Sequence, residues 1–289
     1  MLVPESPKYY NENEIAGRGM GSMLRLGIIG CGNMGGAMLR QMLKAGVFSA
    51  DEVLVSDHSQ EVRSRLEKEL GVHTVCDNRQ AAALPYLLLA VKPQYAQEVC
   101  REIADSVSAD TLVLSIVTGL ELSRLCEILN HERLHLIRVM PNTPALVGEG
   151  VLAACRGKEV TEEEWAFAMK ALSSMGVAEE VPEHLMDAVT GVSGSSPAFA
   201  FLFLEALADA GVRAGLSRAV SQRFAAQVLA GSGKLALETG LHPGQLKDMV
   251  TSPAGTTIEG VAALEKAGFR SAVLEAVDAA VRKAKSFHK

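Results

Sequence analysis

Between positions 24 and 181, short aliphatic and β-branched runs alternate with stretches whose apolar residues recur at helical spacing. The runs fall at Leu26–Ile29, Val53–Ser56, 86–91, 111–116, 136–139 and 151–154, and this alternation predicts a parallel sheet covered by helices. After Val181 the texture changes. Residues 183–289 are rich in Ala, Leu, Glu and Lys, carry long helical periodicities (195–214, 218–237, Phe269–Lys285) and contain no convincing strand, so an all-helical second unit is expected. Residues 1–22, with Pro4, Pro7, Tyr9, Tyr10, Asn11 and Asn13, have no periodic apolar face. They read as a disordered extension, either foreign sequence joined to a start at Met23 or an over-long start. The expected division is therefore 1–22, 23–182 and 183–289.

Composition narrows the partners. At 289 residues and 48% hydrophobic, the chain can build a substantial core in two domains. Its net charge is -6 and no basic cluster interleaves with aromatics, so no nucleic-acid surface is expected and the substrate should be a small molecule. Cys31, Cys76, Cys100, Cys126 and Cys155 are odd in number and never form C-x-x-C, which argues against a disulfide framework or a zinc site; they read as reduced, mostly buried thiols of a cytoplasmic protein. The longest apolar run, 198–204, stops at Glu205, far short of a membrane span. The alanine-rich helices carry broader apolar faces than such a unit buries by itself. That predicts an intertwined homodimer, the alternative being a compact monomeric bundle packed on the first domain.

The strand ending at Ile29 runs straight into Gly30-Cys31-Gly32-Asn33-Met34-Gly35 and a helical stretch to Ala45. This is G-x-G-x-x-G in the strand–turn–helix setting that defines a Rossmann-type dinucleotide site: Gly30 for the tight turn, Gly32 for close approach of a pyrophosphate, Gly35 for helix–strand contact. Asp57 ends the second strand, where a carboxylate can accept bonds from ribose hydroxyls and repel a 2′-phosphate. NADH is favoured over NADPH on that ground, with His58 and Arg63 near enough to soften the preference. Asp57 can equally cap the helix that begins near Ser59. Ala90, Val91, Lys92 and Pro93 follow the strand Tyr86–Leu89 at the carboxyl edge of the sheet, with Lys92 facing either the cofactor or solvent.

A second candidate site lies far downstream, in Thr251-Ser252-Pro253-Ala254-Gly255-Thr256-Thr257, which reads as a loop feeding a helix that runs on from Ile258. Free N–H groups at a helix start attract a carboxylate, and the threonine hydroxyls can bond a neighbouring polar atom; the alternative is an ordinary Ser or Thr N-cap. The intervening chemistry lacks an obvious acid. Reducing a carbonyl leaves a basic alkoxide and normally requires Tyr, His or Lys. Here no tyrosine has a lysine four residues on, no lysine has an asparagine four residues on, and His242 in Leu241-His242-Pro243-Gly244 looks like a turn residue. A protonated C=N needs no such acid, because the amine keeps that proton.

Over nearly all of 23–289 the chain resembles the pyrroline-5-carboxylate reductases. The matching segments are the glycine motif, Ala90-Val91-Lys92-Pro93-Gln94, Arg138-Val139-Met140-Pro141-Asn142-Thr143-Pro144-Ala145, Ser193-Gly194-Ser195-Ser196-Pro197-Ala198-Phe199, Glu205-Ala206-Leu207-Ala208-Asp209-Ala210-Gly211 and Ser252-Pro253-Ala254-Gly255-Thr256-Thr257-Ile258. The resemblance implies NADPH or NADH as cofactor, a cyclic imine as substrate, helices that interlock in a dimer often assembled into a decamer, and a site between one subunit's nicotinamide and the C-terminal helices of the pair. It puts Asn33, Met34, Asn78, Ala90 to Pro93 and Asn142 near the cofactor. Gly255, Thr256 and Thr257 would hold the substrate carboxylate and ring nitrogen, with Thr257 the catalytic hydroxyl and Ser252 and Ser196 beside them. Where the family commonly has Gly-Pro-Ala-Tyr, this chain has Ser196-Pro197-Ala198-Phe199, so one hydroxyl is lost near the substrate and another gained. A related reductase of a different cyclic imine and a non-catalytic dinucleotide-binding protein are the competing readings.

Overall fold

The computed structural model describes residues 23–286, so the reading of 1–22 lies outside the described residues. Eight strands form one sheet in the order β3-β2-β1-β4-β5-β6-β7-β8. They are β1 (Leu26–Ile29), β2 (Val53–Ser56), β3 (His73–Val75), β4 (Tyr86–Leu89), β5 (Leu112–Ser115), β6 (His135–Met140), β7 (Gly150–Arg156) and β8 (Gly176–Glu180). All neighbours are parallel except β6 and β7, which a single 3-10 turn at Thr143–Val147 joins directly. Such a short link permits only an antiparallel pair.

Helices α1 (Asn33–Lys44), α2 (Gln60–Leu70), α3 (Asn78–Ala82), α4 (Pro93–Ile103), α5 (Leu122–Leu129) and α6 (Glu162–Ser173) connect these strands. The pleat alternates each strand's side chains between two cores. Leu26 and Ile28 of β1 pack with Met38, Leu39, Met42, Ala168 and Leu172 on the α1/α6 face. Ile29 of the same strand packs with Leu87, Leu89, Ala96, Ile103 and Leu125 on the α4/α5 face. Strands β3 and β8 escaped the sequence reading. Both lie at sheet edges and carry polar, exposed residues such as His73, Glu179 and Glu180, so neither shows an apolar run.

From Glu183 the chain is helical: α7 (Met186–Val189), a π-helical turn at Thr190–Gly194, α8 (Ser196–Arg213), α9 (Arg218–Thr239), α10 (Pro243–Met249), α11 (Thr256–Lys266) and α12 (Phe269–Lys285). A compact monomeric bundle is not what forms. Helices α10 and α11 bury no residue, α8 buries only Ala208 and α12 only Ala284. Phe201, Leu202, Phe224, Val228 and Leu274 are each more than half exposed. The continuous stretch Glu183–Arg213 also has mean hydropathy 1.3 over an 18-residue window, long and apolar enough to cross a membrane by length and composition. The uninterrupted run 198–204 hid this, because Glu205 breaks the run without lowering the window average much.

Within the helical segment, α8 and α9 cross closely enough that a methyl on Gly211 would lie 2.6 Å from Ser221 Oγ. Ser221 is 3% exposed and its hydroxyl has no hydrogen-bond partner among the described residues. Removing an unsatisfied buried hydroxyl carries no lost bond, and alanine is the better helix former. Ser221→Ala is therefore expected to leave stability unchanged or raise it by about 0.5–1 kcal/mol in thermal unfolding at matched protein concentration. A loss above about 1 kcal/mol would show that the hydroxyl is bonded in the assembled protein.

Candidate functional site at the carboxyl edge of the sheet

The glycine motif leaves β1 by a turn in which Gly30 has φ +84, a region L side chains rarely adopt, and any Cβ there would meet the Ala90 carbonyl at 2.9 Å. Gly35 packs α1 against that turn, where a Cβ would meet the Gly30 carbonyl oxygen at 2.5 Å. Helix α1 begins at Gly32 with no side-chain cap. Its first N–H groups, on Asn33, Met34 and Gly35, therefore keep their capacity for an anion, which is the requirement of a pyrophosphate cradle. Helix α4, whose N-cap is Lys92 and whose first residue is Pro93, also starts at this edge without a side-chain cap. Lys92 itself is exposed.

Asp57 directly follows β2 and is buried at 8% exposure. The helix cap considered for it belongs to Ser59, whose Oγ accepts from the Val62 N–H. The Asp57 carboxylate instead accepts from the Cys31 N–H and the Ser59 N–H, both at 2.9 Å, stitching the glycine loop to the end of β2. Arg63 donates to the Asp57 carbonyl at 2.6 Å, and His58 is exposed beside it. Cys31, at the centre of the loop, is no nucleophile: burial, reinforced by the Asp57 charge, pushes its thiol up to about 12. Of the five thiols, Cys31, Cys100 and Cys155 are buried, Cys126 is partly covered and Cys76 is exposed, and all are free.

Asn78 opens α3 at the same edge, accepting from Ser56 Oγ at 2.8 Å and donating to Glu102 at 2.9 Å. Asn142 follows β6 and is 7% exposed. Its Nδ2 donates to the Ser193 carbonyl at 3.1 Å, and its Oδ1 accepts from the Val151 N–H at 2.9 Å. Ser193 belongs to the π-helical turn that leads into Ser196, whose hydroxyl donates to the Gly191 carbonyl at 3.0 Å. Gly191 in turn lies against Val277 and Val281 of α12. The junction is further held by Glu183, whose Oε1 accepts from the Leu122 N–H and pairs with the buried Arg138 at 3.1 Å. None of these tertiary bonds has a local sequence pattern. The only hint is Pro197 following a run of Gly and Ser, where a helix would otherwise continue uninterrupted.

The downstream loop has the start expected of an anion site. Gly255 is the N-cap of α11 and no side chain closes the first turn, so the ordinary Ser or Thr cap is absent and the helix begins at Thr256. A Cβ on Gly255 would lie 2.3 Å from Ser252 Oγ and 3.1 Å from the Ser252 carbonyl oxygen, so a side chain there would force the Ser252 hydroxyl to swing away. Ser252, Thr256 and Thr257 are exposed. His242 is the N-cap of α10 rather than a plain turn residue: its Nδ1 accepts from the Gly244 N–H at 3.1 Å.

Gly30, Gly32, Asn33, Met34, Gly35, Asp57, Asn78, Ala90 to Pro93 and Asn142 thus meet along one edge of the sheet, with the segment 190–199 anchored there through Asn142. Among the described residues, Ser252, Gly255, Thr256 and Thr257 make no hydrogen bond to that edge, and the packing of α11 is mainly against α12.

A glycine cradle and uncapped helix start at the carboxyl edge of a largely parallel sheet, followed by a helical C-terminal segment whose apolar faces stand uncovered, define a dinucleotide-dependent oxidoreductase. Residues 183–287 match the pyrroline-5-carboxylate reductase dimerisation family, and residues 25–119 match the family described as NADP oxidoreductase, coenzyme F420-dependent. The chain is 46% identical to the pyrroline-5-carboxylate reductase of Synechocystis over 92% of its length and 99% of the relative's. To the Escherichia coli enzyme it is 42% identical, covering 92% and 98%. The solved Plasmodium falciparum pyrroline carboxylate reductase, with NADP bound, superposes with a TM-score of 0.83 at 32% identity, covering 93% of this chain and 100% of that one. The Coxiella burnetii enzyme gives 0.85 at 30% identity, covering 93% and 100%. The chain belongs to the pyrroline-5-carboxylate reductase family.

Ala254 is a point of strain in the loop. Its φ is +57, at the third position of a turn closed by the Gly255 N–H to the Ser252 carbonyl at 3.1 Å, with Pro253 at the second. A type II turn asks for glycine there. Holding an alanine left-handed costs about 1–2 kcal/mol, offset in part by the extra chain entropy a glycine has when unfolded. Ala254→Gly should keep or raise the unfolding temperature, by up to about 1 kcal/mol in stability, whereas Ala254→Val should lower it by about 1–3 kcal/mol. Equal tolerance of glycine and valine would mean that the turn rearranges on assembly.

Proposed function

We propose that this chain reduces the cyclic imine 1-pyrroline-5-carboxylate to L-proline with NADPH or NADH, the last step of proline biosynthesis. The observation that carries the proposal is the pairing of a dinucleotide cradle with an uncapped α11 start flanked by two exposed threonine hydroxyls, in a family named for that activity. When bound, the dihydronicotinamide supplies the hydride. The residues supply position. The N–H groups of Thr256, Thr257 and Ile258 hold the carboxylate at the positive end of α11, and Thr257 Oγ1 bonds the ring nitrogen, with Ser252 and Ser196 lining the pocket. No general acid is required, since the substrate nitrogen carries its own proton.

Residues 23–182 act as the cofactor unit and 183–289 as the unit for assembly and substrate binding. Because α11 stands away from the cofactor edge of its own chain, the working site is built by two copies, α11 of one facing the nicotinamide bound by the other. The uncovered faces of α8 to α12 supply that homodimer, which can assemble further into a decamer in the cytoplasm. At the adenosine end Gly32 to Gly35 take the pyrophosphate and Ala90 to Pro93 line the cofactor. The fixed charge of Asp57 favours NADH, while Arg63 and His58 leave NADPH usable.

Steady-state kcat/KM with both cofactors on pyrroline-5-carboxylate, set against ring-size and ring-sulfur analogues, tests the reading; a better analogue would move the assignment to another imine. Thr257→Ala should lower kcat/KM roughly ten- to 150-fold, the loss of about 1.5–3 kcal/mol for one bond to a charged group, with cofactor affinity nearly intact. Wild-type turnover in that variant would remove Thr257 from the site. Asp57→Ser should weaken both cofactors by releasing the Cys31 N–H, and weaken NADH more than NADPH. An unchanged cofactor ratio would leave Asp57 as a loop clamp alone.

A further inference from the structure

Asn142 sits where a cofactor ligand is expected, yet its carboxamide is spent inside the protein. Nδ2 donates to the Ser193 carbonyl and Oδ1 accepts from the Val151 N–H, and the side chain is 7% exposed. The Ser193 carbonyl has a specific need. In an α-helix it would receive the N–H of residue 197, but that residue is proline and has none. The Ala198 N–H does not substitute for it in that register, since it donates to the Ser195 carbonyl at 3.1 Å. Other carbonyls of α7 and the turn receive hydroxyls from the turn and from the start of α8: Thr190 to Met186, Ser193 to Val189, Ser196 to Gly191. At Ser193 the donor comes instead from across the junction.

The geometry points to Asn142 as a positioning residue that acts through the π-helical turn Thr190–Gly194 rather than on the cofactor. One arm grips β7 of the sheet and the other holds the turn that leads into Ser196 and Phe199. Among the described residues, only this side chain carries hydrogen bonds both to the sheet and to that turn. Asn142 thereby fixes how far the first turn of α8 stands from the edge where the nicotinamide lies. Met140 reinforces the same placement, its methyl lying 2.7 Å from where a side chain on Gly194 would begin. This rests on the proposed imine reduction only for its kinetic readout.

Asn142→Asp keeps the acceptor for Val151 and turns the donor arm into an oxygen facing the Ser193 carbonyl. With the assembled enzyme, kcat should fall roughly tenfold or more and the isotope effect with C4-deuterated cofactor should rise, while the cofactor dissociation constant, read by fluorescence titration, stays within about twofold. A dissociation constant that rises in step with the loss of kcat would overturn the inference, since it would make Asn142 a direct ligand. Unchanged kcat would overturn it too.

A cycle with Pro197→Ala gives the second arm. Restoring the N–H at 197 offers the Ser193 carbonyl a donor in its own helix, so Asn142→Ala should cost less in unfolding temperature and in kcat in the Pro197→Ala background than alone. Strictly additive losses would sink the proposal, and this thermal readout holds even if Asn142→Asp fails to fold. Absence of turnover in the unaltered enzyme would overturn the reading of the reaction alone, leaving the cofactor titration and the thermal cycle to decide the role of Asn142.

Discussion

Helices α8 to α12 present more apolar surface than one chain can cover. Phe201, Leu202, Phe224, Val228 and Leu274 stand more than half exposed while α10 and α11 bury nothing. Each fully buried side chain of this size is worth about 1.5–3 kcal/mol, so leaving so many in water is untenable for an isolated chain. Residues 183–287 match a dimerisation family, in which a second copy would cover these faces. Such cover also accounts for the apolar stretch Glu183–Arg213 without a bilayer, since a helix destined for a subunit interface has the same composition as one destined for lipid.

Two helix starts, far apart in sequence, use the same device. Both α1 and α11 begin at glycine with no capping side chain. At α1 a Cβ on Gly32 would meet nothing within 4 Å, and it is Gly35 in the first turn that close approach to Gly30 enforces; at α11 Gly255 lies against Ser252; in both cases the backbone N–H groups are left for an anion. Recognition by N–H groups and a helix dipole needs no buried lysine or arginine, and so avoids the desolvation cost of a buried charge. The chain's negative net charge is compatible with anionic ligands for this reason.

The sheet and the helical segment are joined by a handful of buried and half-buried groups. Arg138 and Glu183 form an ion pair that also receives the Leu122 N–H, Asn142 bridges β7 and the π-helical turn, and Met186 packs on Ala153 and Cys155. The ion pair and the Asn142 bridge are polar links satisfied across the junction, so loss of either leaves its partners orphaned. A π-helical turn next to a helix-starting proline concentrates this demand at Thr190–Pro197, at the entrance to the segment that resembles the family's substrate region.

Local chemistry alone determined much of this. β1, the glycine turn and α1 were legible because period, turn residues and helix start agree within a dozen positions, and α12 because its periodicity is long and unbroken. Strands β3 and β8 were not, because an edge strand half in water carries no apolar run. Asp57 was placed correctly at the end of β2, but its bond to the Cys31 N–H depends on two segments 26 residues apart in sequence meeting in the fold. The left-handed Ala254, the uncapped start of α11 and the Asn142–Ser193 bond were likewise decided only in three dimensions. Sequence fixes which donors and acceptors a chain owns; which of them are spent inside the protein and which remain for a ligand depends on packing between segments distant along the chain.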